Sequence, residues 1–226
     1  MGNVAPEQAI VIAIVLFLGI GLHEYAHCKV ADMAGDPTPG IYGRVTLNLT
    51  KHFEPIGTIM IILSSLSGFG IGWGNPAPMD PRKMKNPRWD FFAAVIAGPL
   101  CNLAQAAVWG ILFRISYAQS LASPGGGIPF LVLLSLEGVI INLVLCFFNL
   151  IPLGPLDGHW LLGLLLPEKP RYYWYRFNRQ IGTYALLALI FGSQIFFRAS
   201  GGILWALFGV PIGYLFRILT GQPAPF

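Results

Sequence analysis

Charged residues are scarce in this chain, and their scarcity excludes most classes of soluble protein. Asp, Glu, Lys and Arg account for 11% of the 226 residues, whereas hydrophobic residues account for 55%. Soluble domains contain about 25% charged residues, because polar groups must cover much of their surface. The composition therefore predicts an integral membrane protein.

Cysteines are few, and basic residues are missing before the first apolar run; these two features exclude a disulfide-rich protein and argue against a signal peptide. The chain has three cysteines, an odd number that lies mostly in apolar stretches, so no disulfide framework is indicated. The opening residues MGNVAPEQ contain no Lys or Arg, and no small-residue cleavage site follows the apolar run after them. That run is therefore not expected to be a signal peptide.

The apolar residues fall into long blocks, several of which approach the roughly 20 residues that cross a bilayer as a helix. The blocks are residues 8–22, 56–72, 91–113, 128–151, 181–197 and 202–219. They predict an all-α polytopic membrane protein with about five spanning helices. The net charge of +4 fits basic cytoplasmic loops, and nothing resembles a nucleic-acid-binding module.

The first block ends in the motif His23-Glu24-x-x-His27, at a depth where each of these side chains is costly. Two histidines four residues apart share one face of a helix and can both bind zinc. Glu24 lies about 100° round the helix from His23 and can reach a water beside the metal without being a ligand. The motif predicts a zinc site with Glu24 as general base. The alternative is a pair of interfacial histidines that cap a helix, which does not explain the glutamate.

A third ligand is needed, because catalytic zinc sites have three protein ligands and one open position. Asp157 follows an apolar block in the stretch FNLIPLGPLDGHW (148–160). Pro152 and Pro155 cannot continue a regular helix, so the chain should unwind and present Asp157 from a rigid turn. These residues alone equally allow Asp157 to be a loop residue that caps the next helix.

In combination these motifs resemble the site-2 protease family of intramembrane zinc metalloproteases, in a compact prokaryotic branch without a PDZ domain. The resemblance runs from about residue 8 to residue 160. Besides the His-Glu-x-x-His motif, the matching segments are AGPLCN (97–102), FNLIPLGPLDG (148–158), GRVTLNLTKHFEPIGT (43–58) and GWGNPAPMDPRKMKNPR (72–88).

The resemblance implies that one zinc ion binds His23, His27 and Asp157, with Glu24 as the catalytic base. Asn149 matches the family's Asn eight residues before the Asp, where it is thought to help hold substrate or the oxyanion. An amide donor suits a developing oxyanion. Residues 1–160 are then the catalytic core, and residues 161–226 form an interfacial segment and a two-helix hairpin that either braces or gates the core.

Three other polar residues receive weaker roles. Asn102 is expected to make a structural interhelical hydrogen bond. His52 belongs to the loop motif and is not expected to be a ligand. The family usually has Asp-Gly-Gly or Asp-Gly-Ser where this chain has Asp-Gly-His, so His159 is either a partner of Asp157 or an interfacial histidine.

The ligand set also constrains the topology. One ion can reach both ligand segments only if blocks 8–22 and 128–151 cross the membrane in the same direction. That requires an even number of crossings after the first block, but three blocks follow it up to residue 151, so one of them does not cross. Residues 56–72 are the weakest, with three serines and four glycines, and we expect them to be re-entrant. All basic residues except Arg114 and Arg198 then lie on one face. The positive-inside rule puts that face, the C-terminus and the zinc toward the cytoplasm, and the N-terminus outside.

Residues 41–49, IYGRVTLNL, alternate apolar and polar side chains and are rich in β-branched types. This pattern predicts a small strand or hairpin element near residues 41–50. An edge strand there could pair with an unwound substrate, because peptide hydrolysis needs an extended chain.

The expected function is hydrolysis of peptide bonds within transmembrane segments of membrane proteins, with the lipid bilayer as the surrounding medium. A zinc transporter would need a polar pathway across the bilayer, which the other helices do not indicate. A catalytically silent scaffold would be expected to lack Glu24 or a ligand. A prenyl-protein-type metalloprotease usually has Glu as its third ligand. The sequence indicates neither the substrate nor the oligomeric state.

Overall fold

The computed structural model describes residues 5–66, 73–122, 129–196 and 203–225, and the regular secondary structure in these ranges is helical. The α-helices are α1 (Pro6–Met33), α2 (Thr38–Ile41), α3 (Pro55–Leu66), α4 (Trp89–Ala122), α5 (Phe130–Asn149), α6 (Asp157–Leu165), α7 (Glu168–Phe177), α8 (Thr183–Phe196) and α9 (Ile203–Thr220). Short 3₁₀ turns occupy Leu49–His52 and Pro81–Lys83, and a π-helical turn at Asn178–Gly182 joins α7 to α8.

Among the described residues, helices α1, α4 and α5 are long and apolar enough to cross a membrane. Helix α1 begins at a proline, which suits a first helical position because its missing N–H has no intrahelical partner there. Their length and composition make this chain a membrane protein. The expected count of about five spanning helices stays a prediction.

Helices α1, α4 and α5 pack against one another and carry the site. Helix α4 runs antiparallel to α1, since contacts that rise along α1 fall along α4. The Gly19 carbonyl accepts a hydrogen bond from Asn102, whereas His27, two turns further along α1, bonds to the Ala94 carbonyl. The ends of α4 are therefore reversed relative to those of α1.

Helix α5 runs parallel to α1. Gln8, near the start of α1, donates a hydrogen bond to Glu137, and Gly19 lies against Leu145 further along both helices. The C-terminal ends of α1 and α5 therefore meet on one side of the bundle. This is the direction that one metal site shared by both ligand segments requires.

Helix α3 occupies most of the segment that we expected to be re-entrant. Its 12 residues are about 18 Å long, short of the roughly 30 Å of a bilayer core. Its buried Ile61 packs against Ile12, Leu16 and Ile20 of α1. Residues 67–72 lie outside the described residues, so the re-entrant course remains a prediction.

The strand predicted near residues 41–50 is wrong. Helix α2 ends within it at Ile41, Gly43 has a φ of 65°, and a 3₁₀ turn starts at Leu49. Alternation of side chains shows which residues could share a face, but a strand also needs a partner strand for its backbone groups. Here the backbone groups bond locally instead, as when the Asn48 N–H donates to the Thr46 hydroxyl.

Candidate metal centre

Three side chains from two distant parts of the chain converge beside the C-terminal half of α1. The Nε2 atoms of His23 and His27 are 3.0 Å apart, and Oδ2 of Asp157 lies 3.2 Å from the first and 3.3 Å from the second. In a tetrahedral site with zinc–nitrogen bonds of 2.0–2.1 Å, neighbouring ligand atoms are about 3.3 Å apart. The three atoms are therefore spaced as ligands of one metal ion.

Hydrogen bonds on the far side of each imidazole determine where its proton lies. Nδ1 of His23 is 2.6 Å from the Asn102 side-chain oxygen, and Nδ1 of His27 is 2.8 Å from the Ala94 carbonyl oxygen. Both partners are acceptors, so each neutral ring carries its proton on Nδ1 and a lone pair on Nε2. Two nitrogen lone pairs and a carboxylate oxygen thus face one point, an arrangement that a cation satisfies and a hydrogen bond does not.

A pair of buried amides holds Asn102 in this orientation. Its Nδ2 donates to the Gly19 carbonyl and to the Asn142 side-chain oxygen, both at 3.0 Å, and Asn142 donates to the Gly138 carbonyl at 2.9 Å. Asn102 therefore presents its oxygen, and not its nitrogen, to His23. The expected interhelical bond of Asn102 is present, but sequence reasoning missed both its contact with His23 and the support from Asn142.

Gly98 of helix α4 provides the space that the imidazoles occupy. A Cβ at this position would lie 2.3 Å from Nε2 of His27 and 2.7 Å from Cε1 of His23. No side chain larger than hydrogen fits there without displacing a ring. This close approach explains the glycine in the segment AGPLCN, a segment that the sequence alone linked only to a family resemblance.

The loop between α5 and α6 presents Asp157 as expected. Helix α5 ends at Asn149, the prolines interrupt the helix, and Asp157 is the first residue of α6. A Cβ on Gly158 would lie 2.3 Å from the Leu150 carbonyl oxygen, so the glycine lets the turn close behind the aspartate. In the described part of the chain, Oδ2 of Asp157 has no hydrogen-bond donor.

The other two histidines do not belong to the metal-binding group. Nδ1 of His159 donates to the Leu156 carbonyl at 2.5 Å, so this residue braces the turn that precedes α6. Burial lowers the pKa of His159, against opposing effects of the Leu156 carbonyl and Asp157. Buried His52 bonds to the Thr46 carbonyl, and the expectation that it is not a ligand stays a prediction.

Glu24 shares a cavity of about 450 Å³ with the three candidate ligands. Its Oε2 atom is buried and has no hydrogen-bond partner within the described ranges. Most other residues around the cavity are apolar, and many of them come from 73–79 and 145–160. A carboxylate oxygen without a donor, beside a metal-binding group, can accept a proton from a water in the cavity.

Asn149 lines the same cavity at the end of α5. Its Nδ2 donates to the Leu145 carbonyl at 3.0 Å, which occupies one of the two amide hydrogens. The second hydrogen is available to a group that enters the cavity. The structure therefore brings Glu24 and Asn149, the two residues predicted to be catalytic, to one cavity with His23, His27 and Asp157.

A bundle of membrane-crossing helices with a His-His-Asp group beside a buried glutamate defines a class of membrane protein with a candidate metal centre. The chain is 37% identical over 163 residues to "Putative zinc metalloprotease YwhC" of Bacillus subtilis (strain 168), a match that covers 71% of each protein. It is 28% identical over 155 residues to "Putative zinc metalloprotease Rip2" of Mycolicibacterium smegmatis, covering 68% of this chain and 57% of that protein. No protein-family model and no solved structure matches the chain. The chain belongs to the site-2 protease family of zinc metalloproteases.

Proposed function

We propose that this protein is an intramembrane zinc metalloendopeptidase that cleaves peptide bonds within transmembrane segments of membrane-protein substrates, as in regulated intramembrane proteolysis. One observation supports this most strongly. Three potential ligand atoms and a Glu24 carboxylate oxygen that has no hydrogen-bond partner among the described residues lie at one cavity. A scaffold would need none of these groups, and no observation favours a zinc transporter.

In this proposal His23, His27 and Asp157 hold one zinc ion, and Glu24 moves the protons. Zinc bound there lowers the pKa of a water toward about 7 and polarises a peptide carbonyl. Glu24 takes a proton from the attacking water and delivers it to the leaving nitrogen, so that the amine departs neutral. Asn149 donates its available amide hydrogen to the substrate carbonyl oxygen, where negative charge develops.

The substrate must be unwound at the cut, because the carbonyls of a transmembrane helix are occupied by its own hydrogen bonds. Most of the residues that line the cavity are apolar and suit the side chains of such a segment. Histidine and glutamate among apolar helices cost free energy of folding, and the proposed reaction gives a functional reason for their presence at this depth.

The proposed orientation has the N-terminus outside, the C-terminus inside and the zinc site toward the cytoplasm, in the cell membrane. It rests on the basic loops, which include Arg82 and Lys83, on the predicted cytoplasmic face. In the variant Arg82→Cys, the new cysteine should be labelled by a membrane-impermeant thiol reagent only after the cells are opened. Labelling of this cysteine in intact cells would show that the orientation is the reverse of the proposed one.

The decisive experiment compares purified wild type with Glu24→Gln, in detergent, for bound zinc and for cleavage of a reporter protein that contains one transmembrane segment. Glu137→Gln is a matched control, because Glu137 is a half-buried acid of α5 that bonds to Gln8. We expect about one zinc per chain in all three proteins, with cleavage lost in Glu24→Gln alone. Zinc-loaded wild type that cleaves no reporter would favour the scaffold, and cleavage by Glu24→Gln would exclude Glu24 as the base.

A further inference from the structure

Arg44 is a buried cation whose hydrogen bonds all lead to neutral groups. Only 6% of the residue is exposed, and its Nε donates to Nδ1 of His52 at 3.4 Å while an Nη2 hydrogen bonds to the Asn75 carbonyl at 2.5 Å. Burying a guanidinium is costly unless its donors are satisfied. The bond to Asn75 joins the loop after α2 to the segment that lines the cavity, and the bond to His52 joins the same loop to the Leu49–His52 turn.

His52 is arranged to receive Arg44. Its Nε2 lies 2.9 Å from the Thr46 carbonyl oxygen, so the ring proton is on Nε2 and Nδ1 is left as an acceptor. Burial lowers the pKa of His52, and the Arg44 cation lowers it further, against the effect of the Thr46 carbonyl. Both effects favour the neutral ring that accepts a hydrogen bond from Arg44.

Both backbone groups of Asn75 are held by this pair. The Asn75 N–H donates to the His52 carbonyl at 2.8 Å, and its carbonyl accepts from Arg44. Residues 73–80 form neither helix nor strand, so the segment lacks the internal hydrogen bonds that would fix its course. Its position depends on contacts such as these.

The segment that is held in this way lies directly on the proposed general base. A Cβ on Gly74 would be 3.0 Å from Cγ of Glu24 and 3.0 Å from the His52 carbonyl oxygen. Trp73, Gly74, Pro76 and Ala77 line the same cavity as Asp157. A shift of this segment would change the width of the cavity without touching a metal ligand.

We propose that Arg44 and His52 are positioning residues that hold residues 73–77 against Glu24, and thereby set the wall on which the unwound substrate lies. The proposal rests on the proposed proteolytic function. Neither side chain has a part in the chemistry: Arg44 acts through the Asn75 carbonyl, and the His52 ring acts by accepting the hydrogen bond that orients Arg44. Weakening the pair should therefore weaken substrate binding more than the rate of the bound substrate, and leave the metal in place.

The test uses Arg44→Met, which keeps the length of the side chain and removes its donors, and Arg44→Lys, which can restore a single bond to Asn75. Arg82→Met is the control, since it removes an exposed cation from a neighbouring turn. Three quantities are measured in the full-length protein: zinc per chain, hydrogen exchange of the amides in residues 73–77, and the KM and kcat for a transmembrane-segment reporter.

We expect Arg44→Met to keep its zinc, to exchange faster in residues 73–77, and to lose about tenfold in kcat/KM, mainly through KM. Arg44→Lys should lie between Arg44→Met and wild type, and Arg82→Met should match wild type. Unchanged exchange in residues 73–77, or zinc lost together with activity, would overturn the proposal. If the wild type itself cleaves nothing, the proposed proteolysis has failed, and the exchange rates still decide whether the pair holds the segment.

Discussion

The Nε2 atoms of His23 and His27 face each other at 3.0 Å, and in the neutral rings neither carries a proton to share. Each ring directs its proton outward, to an acceptor on α4. With the Asp157 carboxylate at 3.2 and 3.3 Å from the two nitrogens, the site assembles lone pairs that repel one another until a cation binds. Metal binding and stability should therefore be coupled.

Removing the metal should lower the melting temperature of the detergent-solubilised protein, and adding zinc should restore it. The stabilisation grows by about 1.4 kcal/mol for each tenfold rise in free zinc above the dissociation constant. Thermal unfolding with and without a chelator measures the effect. Asp157→Asn should lose most of this dependence. A melting temperature that ignores the chelator in wild type would contradict the coupling.

Asn102→Leu should reduce zinc affinity about 10- to 100-fold, because His23 loses the acceptor that fixes its tautomer and ring orientation. Competition with a zinc chelator of known affinity measures the change. Asn102→Asp keeps an acceptor and should retain more of the affinity. Gln105→Leu is the control, since Gln105 bonds to the Gly19 carbonyl, which Asn102 also contacts, without reaching His23. Equal losses in Asn102→Leu and Gln105→Leu would assign the effect to helix packing.

Gly98→Ala should abolish stoichiometric zinc binding, because the added methyl would overlap both imidazole rings. Gly213→Ala provides the contrast. Its Cβ would meet only the Ala224 Cβ at 3.8 Å, and alanine favours a helix over glycine by about 1 kcal/mol. Metal analysis and thermal unfolding of both variants give the answer. Normal zinc content in Gly98→Ala would show that the rings have room to move.

Asn149→Ala should keep its zinc and lower kcat by about 100-fold, the usual cost of removing one donor to an oxyanion. The comparison needs kcat and zinc content for the same preparation. An unchanged kcat would mean that the amide serves only its bond to Leu145.

The convergence of His23, His27 and Asp157 was predictable because local spacing and composition carry most of the information about it. The separation of His23 and His27 places both on one helix face, and the prolines before Asp157 dictate a turn. The direction of α5 relative to α1 followed from the requirement that one ion reach both segments. The histidine spacing and the turn before Asp157 depend on helix periodicity and on the conformation of proline, and little on contacts between distant segments.

The irregular course of residues 41–50 and the role of Gly98 could not be predicted, because both depend on contacts with distant segments. A strand depends on the availability of a partner, and the alternation in IYGRVTLNL contains no information about one. The space at Gly98 exists only because α4 crosses α1 at the two histidines. The contacts of Arg44 and His52 with Asn75 likewise join segments whose proximity no single-sequence pattern expresses.

If the proposed function is right, the position of the histidines along α1 has a consequence for where a substrate is cut. His23 lies ten residues before the end of the helix at Met33, about 15 Å along its axis, and about 26 Å from its start at Pro6. Because the metal-binding histidines lie at a set depth along α1, the proposed protease should cut its substrates at a constant distance from the membrane surface. Adding residues between that surface and the original cut in a substrate's transmembrane segment should move the cleavage point along the substrate sequence by the same number of residues.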